Sequence, residues 1–136
     1  MLRSSLARTI RKGDHRLSET LDQVLEAAEA ASSKKASEIV ILDVGPLIGI
    51  TDYFVICSGN NERQVATIVE EVERALRERG QKPRRREGER ENRWVLLDYI
   101  DFIVHVFHTE DRQFYELERL WKDARQIPFE ETEEAG

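Results

Sequence analysis

The sequence has no means of cross-linking itself: its single cysteine, Cys57, has no partner for an internal disulfide, and a reducing compartment is the natural inference. Cys57 lies in the apolar strand pattern DYFVICSG and is therefore expected to be a small buried hydrophobe, not a nucleophile. No apolar run approaches the ~20 residues that span a bilayer. Neither the G-x-x-x-x-G-K-S/T nor the G-x-G-x-x-G phosphate-binding spacing occurs, and no serine stands in a Gly-x-Ser-x-Gly elbow. There is no internal repeat.

What is present suits one soluble globular domain. The 136 residues are 40% hydrophobic and 35% charged, enough chain to bury roughly two thirds of the unfolded surface without a disulfide or metal. Charge is uneven: residues 1–16 carry a net +4, residues 17–129 a net −6, and the tail from Glu130 a net −4. Duplex nucleic acid held by its phosphates usually demands a basic balance. An acidic domain suits a basic protein partner better.

Residues 1–14 are Arg-rich with no acid before Asp14, a composition shared by organelle transit segments, misassigned start sites and cloning remnants. The two plainer readings are preferred, and residues 1–16 are expected to be a disordered basic extension. A single domain over 17–129 follows, and the EETEE tail of 130–136 is expected to be disordered. From Leu17, apolar residues Leu21, Val24, Leu25, Ala28 and Ala31 recur three and four apart, predicting a helix that ends at Ser32-Ser33. Glu38–Val44 reads as a central strand closed by Gly45-Pro46, and Tyr53–Cys57 as a second. Asn61, with Gln64 three residues on, predicts the cap of a helix over Glu62–Arg79 that stops at Gly80. Lys82–Glu87, with its proline and row of charges, reads as an edge strand. Thr109 is expected to cap a last helix, with Phe114, Leu117, Leu120 and Trp121 buried and Pro128 as its stop. The sum is an α/β domain: a mixed β-sheet of about five strands flanked by helices.

The sequence is organised around WVLLDYIDFIVHVFH, Trp94 to His108, which reads as a β-hairpin turning at Asp98–Asp101. A two-residue loop at Tyr99-Ile100 would place Asp98 opposite Asp101, Leu96 opposite Ile103 and Trp94 opposite His105. One face then carries Val95, Leu97, Phe102, Val104 and Val106, with no polar group, and belongs in the core. The other carries Trp94, Leu96, Asp98, Asp101, Ile103, His105 and Phe107, a large apolar area with three titratable groups. Two readings of it stand side by side: a working surface, or a face covered by a second helix layer with His105 hydrogen-bonded and inert.

Chemistry finds little purchase. SGNN at 58–61 joins a strand to a helix N-terminus, where amides attract anions, yet a lone glycine is a weak signal. Asp98 and Asp101 flank a turn, so they lack the i, i+2 spacing of two ligands on one strand face, and a third acid for a two-metal site is missing. His105 and His108 point to opposite faces of one strand. Arg84-Arg85-Arg86 is a conceivable RNA-phosphate contact, although Glu87, Glu89 and Glu91 reduce the local potential.

Taken in order, TDYFVICSGNNERQV (51–65), Glu87-Gly88, WVLLDY (94–99), VHVF (104–107) and RQFYELERLW (112–121) resemble the ribosomal silencing factor, or Iojap, family over about residues 20–125. The resemblance implies a cytoplasmic, non-enzymatic factor without a cofactor. Such a factor binds the large ribosomal subunit through large-subunit protein fourteen, blocks subunit joining and lowers translation. It also implies a nucleotidyltransferase-like α/β fold without catalytic acids, and homodimers in several members. The family's docking surface maps to Trp94, Leu96, Asp98 and their neighbours, so Trp94, Leu96, Asp98, His105 and Phe107 are the expected partner contacts. A nucleotide-binding or nucleotidyltransferase enzyme using the SGNN loop with Asp98 and Asp101 is the alternative. Asn61 where serine is usual, and a turn without the commoner glycine, depart from the family pattern. The second departure counts against the two-residue loop, because a primed turn wants φ > 0 and Ile100 resists it; a longer loop would shift the pairing partners without changing the alternation within each strand.

Overall fold

The computed structural model describes residues 12–112 and 122–130, with the side chains of its first helix from Ser18 onward. Helix α1 (Lys12–Ser33) begins five residues before the expected Leu17. Strand β1 (Ser37–Asp43) is followed by a one-turn helix α2 (Gly45–Ile48), β2 (Tyr53–Gly59) and α3 (Glu62–Arg77). Then come β3 (Arg85–Glu87), β4 (Trp94–Asp98), β5 (Phe102–His108), α4, described over Thr109–Arg112, and β6 (Arg125–Ile127). The stripe expected at Phe114, Leu117, Leu120 and Trp121, and the tail from residue 131, lie outside the described residues.

The caps show how locally the helices are encoded. Asn61 Oδ1 accepts from the Gln64 N–H at 2.8 Å, and Gln64 Oε1 accepts in return from the Asn60 N–H at 2.7 Å. This is the reciprocal box expected from the sequence, shifted by one residue on its return arm. The Glu110 N–H donates to His108 Nδ1 at 3.1 Å, so the acceptor at the start of α4 is His108, one residue before the expected Thr109.

Among the described residues, six strands form one mixed sheet in the order β3-β4-β5-β2-β1-β6. β2 and β5 run parallel at its centre, and the other pairings are antiparallel. β1, expected to be central, lies one place from the edge; its apolar run is kept from water because β6 pairs with it from Ile41 to Asp43. β6 itself was not foreseen. The edge at the other end is β3, paired on one side with β4, whose three residues are exposed and charged, as the sequence leads one to expect of an edge strand.

The hairpin forms, but its register differs from the expected one. Trp94 pairs with Phe107, Leu96 with His105 and Asp98 with Ile103, each partner two residues further along than the two-residue loop at Tyr99-Ile100 required. The turn residues are Ile100 and Asp101. Ile100 adopts φ +74°, a conformation unfavourable for a β-branched residue. The Asp101 N–H donates to the Tyr99 carbonyl at 2.9 Å, so Ile100 is the centre of a γ-turn. Neighbouring groups hold it there: Asp98 Oδ1 accepts from the Ile100 N–H at 2.8 Å, Thr51 Oγ1 donates to the Ile100 carbonyl at 2.9 Å, and the Asp52 N–H donates to the Asp101 carbonyl at 2.9 Å. The offset of two keeps the alternation, so each strand residue stays on the face expected for it.

The two faces are packed unequally. Val95, Leu97, Phe102, Val104 and Val106 meet Val24, Ala27, Ala28 and Ala31 of α1 and Val65, Ile68, Val72 and Leu76 of α3 in the main core. On the other face a smaller cluster of Leu42, Val44, Phe54, Ile56 and Phe107 is joined by half-buried Val40, Ile48, Trp94, Ile103 and Ala124.

The chain enters β4 through Gly88, which has φ +85°, and a Cβ there would collide with the carbonyl oxygen of Trp94. Both restrictions act at once, so Gly88→Ala is expected to lower stability by more than ~1 kcal/mol. The urea midpoint measures it, and an unchanged midpoint would contradict this account of the turn.

Candidate functional site

The second sheet face is assembled from four strands. Parallel pairing sets Phe54 and Ile56 of β2 opposite Ile103 and His105 of β5, and β4 adds Trp94, Leu96 and Asp98 on the far side. The structure brings all five expected contact residues onto this face, but not equally near to solvent. Trp94 and Leu96 are half-buried. Asp98 is 6% exposed, His105 4% and Phe107 0%.

Each of the three buried residues has an internal occupation. Phe107 lies under the indole of Trp94, ring centroids 5.0 Å apart and the planes 25° from parallel. His105 meets the ring of Phe54 edge-on at 4.5 Å and accepts through Nδ1 from the Trp94 indole N–H at 3.0 Å. Asp98 holds the Ile100 amide and lies 3.7 Å from each of Arg84 and Arg85, at the start of the edge strand. The observed register explains the Trp94 geometry: directly opposite Phe107 and diagonal to His105, one large side chain can stack on the first and hydrogen-bond to the second.

The start of β4 is clamped by an arginine that sequence reasoning passed over. Arg93 forms a two-pronged pair with Asp111, Nε to Oδ2 at 2.9 Å and Nη2 to Oδ1 at 2.7 Å, and reaches Glu62 at 2.9 Å and Glu110 at 3.4 Å. This guanidinium helps hold Glu62 and is the main cause holding Asp111 below the usual carboxylate range; for Glu62 the larger cause is its own backbone amide at the start of α3. The N-termini of α3 and α4 are thereby tied to the strand that carries Trp94. Arg112, which opens the last of the five matching blocks, is also buried and donates to Ser58 Oγ at 2.6 Å, tying α4 to β2. The only hint in the sequence was composition: an Arg directly before the hairpin and three acids at helix starts.

The groups considered for chemistry have structural occupations as well. In SGNN, Gly59 allows Val65 to approach within 3.1 Å of where its Cβ would stand, and both asparagines serve the α3 cap. Cys57 is buried, as expected. Among the described residues, no three of His, Cys, Asp and Glu stand close enough to hold a metal ion.

Burial pushes the His105 imidazole down to about 4 from an ordinary 6.5. With the folded value depressed, the unfolded chain takes up the proton first as pH falls. Stability should therefore fall from pH ~6.5 toward ~4 and level off below, a loss of at most roughly 3 kcal/mol. Urea unfolding across that range should show this slope, and His105→Asn should lack it while keeping the slope contributed by carboxylates such as Asp111. Equal slopes in the two proteins would contradict the burial of a neutral imidazole.

Comparison with known proteins agrees with this architecture. A family model described as ribosomal silencing factor during starvation matches residues 17–136. The ribosomal silencing factor RsfS of Halalkalibacterium halodurans is 42% identical over 104 residues, covering 76% of this chain and 89% of that protein. RsfS of Bacillus subtilis is 44% identical over 98 residues, 72% and 83% of the two chains. A crystal structure of a protein from Bacillus halodurans superposes with a TM-score of 0.69 at 38% identity, covering 82% of this chain and 99% of that one. The chain belongs to the ribosomal silencing factor family.

Proposed function

We propose that this protein represses translation by binding the large ribosomal subunit through the Trp94–Leu96 side of its sheet and excluding the small subunit. Within a family named for silencing ribosomes, the observation that supports this surface is a tryptophan held half out of the core on a bed of aromatic rings. A large ring of that kind, partly desolvated already and fixed in orientation, loses little freedom when a partner covers it. Phe107, His105 and Asp98 contribute by supporting the surface, and Trp94 and Leu96 by touching the partner.

The net −6 of residues 17–129 favours a basic partner, and large-subunit protein fourteen is the docking protein we propose. Arg84, Arg85 and Arg86, at the start of the exposed edge strand, would lie where a minor contact to rRNA phosphate is available, although Arg84 and Arg85 face Asp98 and Arg86 pairs with Glu73. The role is regulatory, without catalysis or cofactor, acts in the cytoplasm and includes homodimerisation of the free protein. Among the described residues no helix is long and apolar enough to cross a membrane. The alternative nucleotidyl chemistry gains no support, because Asp98 and the SGNN loop are engaged in holding the turn and the helix cap.

Purified large subunits, sedimented with the wild-type protein or with Trp94→Ala, test the proposal. Wild type should co-sediment and prevent 70S formation. The variant, still folded by circular dichroism, should bind more than ~30-fold more weakly, as befits a central aromatic anchor. Equal retention of both would remove the surface assignment.

A further inference from the structure

A buried imidazole is an uneconomical choice for the position of His105. The residue is 4% exposed, and its Nε2 is buried with no hydrogen-bond partner among the described residues. A leucine or phenylalanine would fill comparable space beside Phe54 and Phe107 with no polar atom to desolvate. What neither could supply is an acceptor for Trp94.

The indole N–H is a donor only. Its bond to Nδ1 at 3.0 Å therefore requires a lone pair on Nδ1, which places the proton of the neutral ring on Nε2, the nitrogen without a partner. The arrangement satisfies the indole at the expense of the imidazole. Stacking on Phe107 fixes the plane of the indole but leaves its rotation within that plane open. The hydrogen bond selects one of those rotations. His105 is in turn held by the edge-on ring of Phe54 from the neighbouring strand, so the orientation of Trp94 is referred back to the centre of the sheet.

We propose that His105 is a positioning residue: it presets the rotamer of Trp94 so that the indole meets the ribosomal partner already oriented. This rests on the docking role proposed above for Trp94. The consequence is a division of labour on one strand pair, in which the buried residue governs affinity through the half-buried one without touching the partner.

Two substitutions separate positioning from packing. His105→Asn retains an acceptor where Nδ1 stands, and His105→Leu retains apolar volume without one. In the folded Leu variant, the Trp94 indole N–H should exchange with solvent at least about tenfold faster and large-subunit binding should weaken about tenfold, the scale of one lost hydrogen bond. The Asn variant should stay close to wild type in both. A Leu variant with the wild-type indole signature and affinity would overturn the proposal, as would an Asn variant that is folded yet as impaired as the Leu variant.

If the Leu variant does not fold, nitrogen-15 spectra of the wild-type protein decide. Coupling across the hydrogen bond between Trp94 Nε1 and His105 Nδ1 is expected, and its absence would overturn the assignment. The indole arm also stands apart from the docking reading: should Trp94→Ala bind as wild type, docking through this face fails, while the exchange data still report whether His105 holds the ring.

Discussion

The parallel pairing of β2 with β5 is the constraint from which the rest of the fold follows. Its register, from Tyr53 opposite Phe102 to Gly59 opposite His108, joins segments more than forty residues apart. A parallel pair needs a crossover, and the chain between supplies α3 for one sheet face and β3 and β4 for one edge. The same pairing puts Phe54 against His105. Without that neighbour, His105 would lose the ring that closes over it from β2, and only Trp94 would cover the hairpin's own Phe107.

The faces then differ because helices α1 and α3 both pack on one of them. The second face has a thinner apolar cluster, to which α2 contributes Ile48. Large aromatic area in such a place costs solubility unless it is covered or used. Here the rings cover one another: Phe107 disappears beneath Trp94, His105 is enclosed by Phe54 and Trp94, and what stays half-buried is the tryptophan with Leu96 beside it and Val40, Ile48 and Ile103 further along the face. The arrangement converts a broad oily face into a small anchor, a more useful object for recognition.

Most of this architecture was legible in the sequence because it is written locally. Apolar spacing gave α1 and α3, Asn61 and Gln64 gave the cap, and strict alternation from Val95 to Val106 identified the core face of the hairpin. The register was missed because it is set elsewhere. Ile100 sits at positive φ only with Thr51, Asp52 and Asp98 holding the turn, and local preference argues against that conformation. β6 was missed for a related reason: its three residues carry no strand pattern and are placed by pairing with β1, with Arg125 3.2 Å from Asp43. Of the candidate contacts, membership of one face was readable from period two. Their burial was not, because the groups that bury His105 and Phe107 come from β2 and from Trp94 two residues out of the expected register.

The central claim is that this sheet face, at Trp94 and Leu96, meets the ribosome. A photo-crosslinking benzophenone residue in place of Leu96 tests it most directly, with the same residue in place of Glu70 on exposed α3 as the opposite-face control. Irradiated with purified large subunits, the position 96 protein should form an adduct to a basic large-subunit protein and the position 70 protein none. Adducts from position 70 alone, with position 96 silent in a folded protein, would contradict the account.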